Sequence, residues 1–207
     1  MSRRLIKICG MTRDADIRYA NEFEPDYVGF VLFFPKSRRN LEIQEATRLR
    51  KLLNKEIKSV AVVVSPTVTQ IKMIENAGFD LIQIHGELTK EVYEEINLPV
   101  LRAFNVTDMD SFERWQRLDK IVGYVFDAKE PGSGKTFDWS LVPKLERDGR
   151  LLFLAGGIDD KNVIQAIREV NPDGIDVSSA VENQGEKTGG KKPDKMKKII
   201  RMVHDEK

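Results

Sequence analysis

The chain has 207 residues, with 34 Lys+Arg against 33 Asp+Glu and a net charge of +1. That length suits one domain or two small ones with a substantial core, and the near balance of charge gives no electrostatic reason to invoke nucleic acid or an anionic membrane as partner. No apolar run approaches the ~18 residues that cross a bilayer, Lys7 interrupts the apolar stretch a secretory leader needs, and a single cysteine makes no intrachain disulfide, so a cytoplasmic protein is expected.

Strand-like runs recur in chain order: Leu5–Cys9, Tyr27–Leu32, Ser59–Val64, Leu81–Ile84, Val100–Phe104, Ile121–Phe126, Leu151–Ala155 and Gly174–Val177. Most are continuous apolar stretches, the pattern of parallel strands covered on both faces. Between them lie segments with helical spacing, marked by Ile43, Ala46, Leu49, Leu52 and Leu53 in one case and by Val163, Ile164, Ala166 and Ile167 in another. Asp14, Ser65-Pro66-Thr67, Thr89 and Asp159 offer N-cap or first-turn chemistry. Gly78 and Gly149 stand where helices should stop, and Pro99 leads the fifth strand. A repeat of roughly 20–30 residues suits βα units. About eight of them favour a closed barrel over an open doubly wound sheet. With no compositional break or linker, residues 1–207 read as a single (β/α)₈-barrel domain.

In such a barrel the reactive groups come from the C-terminal strand ends and the loops after them. Those positions hold Cys9-Gly10, Lys36-Ser37-Arg38-Arg39, Gln83-Ile84-His85-Gly86, Asp127, Gly156-Gly157 and Asp176-Val177-Ser178-Ser179. Gly156-Gly157 lets backbone N–H groups approach an anion, and Ser178-Ser179 adds hydroxyls and amides at an expected helix N-terminus, a combination that suits phosphate. Gly134-Lys135-Thr136 is not a P-loop, because Lys129 occupies the place of the first Walker glycine. It is better read as a loop over the site. Cys9 and Asp127 are the candidate acid–base pair. Lys7, two residues before Cys9, shares its strand face, and its ammonium is expected to favour the thiolate. His85 is read as a hydrogen-bonded rim residue before a catalytic one, and His204 as solvated in the charged tail. Two distant histidines and one cysteine form no metal-ligand cluster, and no G-x-G-x-x-G follows a strand.

Lys7-Ile8-Cys9-Gly10, Gly29-Phe30-Val31, Ser37-Arg38-Arg39, Gln83-Ile84-His85-Gly86, Asp127-Ala128, the run from Gly132 to Trp139, Leu154–Ile158 and Asp176-Val177-Ser178-Ser179 together resemble the phosphoribosylanthranilate isomerases, in order and over nearly the whole chain. The resemblance implies a (β/α)₈ barrel that carries out an Amadori rearrangement without cofactor or metal. It implies Asp127 as general acid and Cys9 as general base. Arg39, Gln83, His85 and Asp176 would bind substrate, and Gly134, Gly156, Gly157, Ser178 and Ser179 the phosphate, with the Gly132–Lys135 loop closing above. The partner would be a small phosphorylated molecule, with no nucleic acid or membrane, and a monomer is expected before a homodimer. The residues alone do not choose between Arg38 and Arg39.

Three positions depart from the family pattern. Ala180 replaces a glycine in Ser-Ser-Gly-Val-Glu, Arg102 stands where lysine is common, and Asn40 follows Arg39 in place of an apolar residue. The segment Glu186–Lys192 is unusually basic and is read as a solvated loop. A histidine-pathway isomerase would be expected to carry aspartate in place of Cys9, and indole-glycerol-phosphate synthase an N-terminal extension. A non-catalytic sugar-phosphate binder would be expected to lose Cys9 or Asp127.

Overall fold

A computed structural model describes residues 3–105, 118–127, 138–139, 142, 148–183 and 189–206. The strands are β1 (Leu5–Cys9), β2 (Tyr27–Leu32), β3 (Asn40–Leu41), β4 (Lys58–Val64), β5 (Leu81–His85), β6 (Val100–Asn105), β7 (Ile121–Asp127), β8 (Leu151–Leu154) and β9 (Gly174–Val177). The described helices are α1 (Asp14–Phe23), α2 (Ile43–Arg50), α3 (Val68–Ala77), α4 (Lys90–Glu95), α5 (Val163–Val170) and α6 (Pro193–Asp205). Every strand pairing is parallel, in the order β1-β9-β8-β7-β6-β5-β4-β2, and β1 also pairs with β2. The sheet therefore closes on itself as an eight-stranded barrel. β3 is a two-residue addition beside β2, and it is the one described strand that the apolar runs did not announce.

The closure explains why the strands read as unbroken apolar runs. Successive side chains point alternately to the helices and to the interior. The outward set, including Ile6, Ile8, Val28, Phe30, Ile82, Ile84 and Phe126, packs under the helices in one cluster. The inward set forms a second cluster of Val60, Val62, Leu81, Leu101, Ala103, Val125, Phe153 and Ala155. Helices bury one stripe each: Val163, Ala166, Ile167 and Val170 on α5, and Met196, Ile199, Ile200 and Val203 on α6. At roughly 1.5–3 kcal/mol per buried aliphatic side chain, each stripe outweighs the weak propensity of so short a helix.

Local signals act much as expected. Thr67 caps α3 in a reciprocal capping box with Gln70, Thr89 caps α4, and Gly78 ends α3 in the left-handed region. Asp14 is the first residue of α1 and pairs with Arg48 rather than capping. Asp159 receives the amides of Lys161 and Asn162 ahead of α5. Helix α2 stops at Arg50, which leaves Leu52 48% exposed and outside the stripe assigned to it.

Two expectations about the C-terminal part are corrected. His204 is not solvated: it lies in the last turn of α6 and contacts Asp26 Oδ2 at 3.1 Å and Arg3 at 3.0 Å. The basic segment is not a solvated loop at its described end either, because Gly189, Gly190 and Lys191 are buried. Among the described residues no helix is long and apolar enough to cross a membrane.

Candidate active site

Strand alternation decides what faces the barrel mouth. On β1, Leu5 and Cys9 pack with the interior cluster, so Lys7 between them points inward too. Register sets Lys7 beside Asp176 of β9 and Cys9 beside Gly29 of β2. Lys7 Nζ donates to Asp176 Oδ2 at 2.7 Å, and the lysine has no exposed surface. Burial disfavours that ammonium, but Asp176 and Cys9 more than offset it and hold its pKa above the ordinary lysine value. Gly29 makes the room: a Cβ there would stand 2.9 Å from Cys9 Sγ and 3.2 Å from Lys7 Nζ.

At Cys9 the expected influence of Lys7 is present but does not prevail. Lys7, Lys191 and Arg39 do favour its thiolate, yet burial outweighs them and pushes the thiol above its ordinary value. Cations in a desolvated pocket do not guarantee an ionised thiol. Gly10 follows at φ 79°, and a Cβ there would meet Arg39 Cδ at 2.4 Å, so glycine serves both the turn and the passage of the arginine.

Asp127 ends β7, is 8% exposed, and lies in register with Asn105 of β6. Around the barrel, β7 is separated from β1 by β8 and β9, so Asp127 and Cys9 approach the mouth from different directions. On β5, Gln83 Nε2 contacts His85 Nε2 at 2.9 Å. Burial first, then Lys7 and Arg102, push the His85 pKa down to about 3. The imidazole is therefore neutral at working pH, and with Gln83 as donor its Nε2 is the acceptor. Arg102 is buried on β6, donates to the carbonyls of Ile84 (2.6 Å) and Gly86, and lies 5.4 Å over the Phe104 ring. The guanidinium thus holds the Ile84–Gly86 turn through its fork of donors.

Burial distinguishes the two arginines. The Arg39 side chain is 11% exposed against 46% for Arg38, and Arg39 is the one that lies over Gly10. Both bind Glu182, Arg39 through Nε to Oε1 at 2.5 Å and Nη2 to Oε2 at 3.1 Å. Asn40 accepts the Phe34 amide at 2.7 Å, so its amide shapes the turn after β2. Lys191 Nζ reaches Glu182 Oε1 at 3.2 Å and the Ser178 carbonyl at 3.3 Å. Its own amide donates to buried Asp16 at 2.8 Å. Burial alone would raise the Glu182 carboxyl; Arg39 and Lys191 more than offset it and hold it below the ordinary range. Glu182 and Lys191 escaped the sequence reading, and the available hint was a lysine set directly behind Gly189-Gly190.

Strands β8 and β9 are neighbours, which brings their following loops together. Gly156 and Gly157 adopt φ 81° and 65°, the left-handed region that favours glycine. Ser179–Val181 forms a three-residue 3₁₀ turn rather than the start of an α-helix, with Ser178 just before it. Ala180 is accommodated there without a positive φ. Ser178 Oγ donates to the Cys9 carbonyl at 3.0 Å, so its hydroxyl proton is engaged with β1. Gly134 and the loop around it lie outside the described residues.

Comparison with known proteins adds an independent line. Residues 6–202 match a family model described as N-(5′-phosphoribosyl)anthranilate (PRA) isomerase. An N-(5′-phosphoribosyl)anthranilate isomerase of Thermoanaerobacter sp. (strain X514) is 40% identical over 204 residues, covering 96% of this chain and 97% of its own. The crystal structure of the enzyme from Thermotoga maritima superposes with a TM-score of 0.84 at 32% identity, over 97% of this chain and 98% of that one. A phosphoribosyl anthranilate isomerase solved in complex with reduced 1-(o-carboxyphenylamino)-1-deoxyribulose 5-phosphate superposes with a TM-score of 0.80 at 31% identity, over 96% and 97% of the two chains. The Thermotoga enzyme is described as dimeric, and monomers generated from it have also been solved. An eight-stranded parallel barrel with its polar groups at the mouth, a family match over nearly the whole length and relatives of this identity agree, and the chain belongs to the N-(5′-phosphoribosyl)anthranilate isomerases, aldose–ketose isomerases of tryptophan biosynthesis.

Proposed function

We propose that the barrel mouth rearranges N-(5′-phosphoribosyl)anthranilate with Asp127 as general acid and Cys9 as general base. The observation that carries this reading is the pair's placement: both end inward-lined strands at the mouth, on β1 and β7, with two strands between them. Asp127 donates its proton to the furanose ring oxygen as the C1′–O bond breaks, leaving the open-chain Schiff base. The Cys9 thiolate then takes the C2′ proton, and the electron pair moves into an enolamine that tautomerises to the 2′-ketone. The one bond cleavage, at C1′–O, is assisted by the acid, and the remaining steps are proton transfers, so a positioned acid and a positioned base suffice.

A thiol with a raised pKa is less ionised, but its thiolate is the stronger base, as abstraction of a carbon-bound proton requires. Gln83 Oε1 and Asp176 Oδ1 are buried acceptor atoms with no hydrogen-bond partner among the described residues, and they suit ribose hydroxyls. Neutral His85 fixes Gln83. Arg39 clamps the anthranilate carboxylate, and the turns at Gly156-Gly157 and Ser178-Ser179, with Gly134 above, hold the phosphate. Binding energy from the phosphate then orients the reacting carbons between Cys9 and Asp127.

The test generates phosphoribosylanthranilate in situ from anthranilate and phosphoribosyl pyrophosphate and follows loss of its fluorescence. Rapid loss with the wild-type chain that disappears in Cys9→Ala and in Asp127→Asn supports the assignment. Undiminished turnover in either variant removes that residue from the mechanism.

A further inference from the structure

The Arg39 guanidinium is already engaged on one edge. Its Nε and Nη2 donate side-on to Glu182, which uses two of its five N–H groups and leaves the Nη1/Nη2 edge, whose fork matches a second carboxylate. Its stem is confined as well. Cβ atoms built on Gly10 and Gly189 would stand 2.4 Å from Arg39 Cδ and 3.2 Å from Arg39 Cγ, and the one on Gly189 would also stand 3.2 Å from Glu182 Oε1. Glu182 is 2% exposed and Lys191 0%, and the short antiparallel bridge between these two residues holds them together. Three cations, Arg38, Arg39 and Lys191, converge on this one carboxylate. Burial lowers the Lys191 pKa, but the two guanidiniums alone outnumber the Glu182 carboxylate, an excess of positive charge that an incoming anion relieves.

We propose that Glu182 is a positioning residue. With Lys191 behind it, Glu182 locks Arg39 so that the open edge of the guanidinium is preset for the ortho-carboxylate of the substrate's aromatic amine. This rests on the reading of Arg39 as the carboxylate clamp. The clamp is preorganised before substrate arrives, so little side-chain entropy is lost on binding. Glu182 touches no reacting atom, and its loss should weaken recognition of the carboxylate while leaving the proton transfers intact.

Two ligands test this by calorimetry: 1-(2-carboxyphenylamino)-1-deoxyribitol 5-phosphate, and the same compound without the carboxylate. The wild type is expected to prefer the carboxylate ligand. E182Q should lose that preference by about tenfold, with kcat within twofold. R39A should lose it at least as far, and R39A/E182Q no further than R39A, because the two residues act in series. If R39A loses the preference and E182Q keeps it, Glu182 does not position the clamp. Equal weakening of both ligands by E182Q makes its role structural and overturns the proposal. A wild-type preference untouched by R39A rejects Arg39 as the clamp, and the proposal falls with it. Should E182Q fail to fold because Lys191 is left without its anion, E182Q/K191M removes both charges and the same comparison decides.

Discussion

The two ends of the barrel are built on different rules. At the base, one device recurs: an aspartate directly before a strand accepts a backbone amide near the start of a neighbouring strand. Asp26 takes the Ile6 amide at 2.8 Å, Asp80 the Ser59 amide at 2.8 Å, and Asp173 the Leu152 amide at 2.7 Å. At the mouth the described residues share no such device. Cys9, His85, Asp127 and Ser178 end or follow their strands with four different chemistries, and the buried carboxylates Asp176 and Glu182 bind lysine and arginine side chains. An end that only has to close can use one answer around the ring. An end that addresses an asymmetric substrate needs a different group in each direction.

That division can be broken by experiment, and the largest effect should come from the mouth. Cys9→Ala and Asp127→Asn should each lower kcat by about 10²–10⁴-fold, with the thermal midpoint close to wild type. A mouth variant that lost stability but not turnover would erase the distinction. Gly29→Ala should come next, since its methyl intrudes on Cys9 Sγ and Lys7 Nζ. We expect a fall in kcat/KM of up to roughly 10²-fold from misplacement, with ~1–3 kcal/mol of destabilisation from overpacking.

Asp173→Ala probes the base. It should cost about 1–3 kcal/mol in urea unfolding, because the Leu152 amide loses its side-chain acceptor, with kcat unchanged well below the transition. Loss of turnover there would mean that the base shapes the chemistry after all. An effect of similar size, confined to acid pH, belongs to His85, whose pKa is depressed to about 3. The unfolded chain takes up that proton near pH 6.5 and the folded one does not. Stability is therefore complete above about pH 6.5 and falls with acidification toward pH 3, by roughly 2 kcal/mol at pH 5. His85→Gln should flatten that slope between pH 7 and pH 5. An unchanged slope would show that the imidazole is protonated in the folded protein.

Much of this architecture was readable in the chain. Parallel strands covered on both faces leave unbroken apolar runs, and so β1, β2 and β9 match their expected bounds residue for residue. The mouth was readable because Cys9, Asp127, Gly156-Gly157 and Ser178 sit at the ends of those runs. What escaped was pairing between distant polar residues. The base aspartates look like ordinary turn residues, and burial of Lys191 depends on Asp16 and Glu182, neither of which imposes a pattern near it. The thiol pKa escaped for a related reason: Lys7 was visible beside Cys9, but the desolvation that outweighs it belongs to the assembled barrel.

The seam where β1 meets β9 also sets when the surroundings of Cys9 are completed during synthesis. Lys7 reaches Asp176, and Ser178 reaches the carbonyl of Cys9, each across 169 residues of chain. Cys9 is therefore made long before β9 and the segment through Lys191, and it lacks its charged surroundings until those residues have left the ribosome. A fragment truncated before β9 keeps the thiol but lacks Asp176, Ser178 and Lys191 beside it.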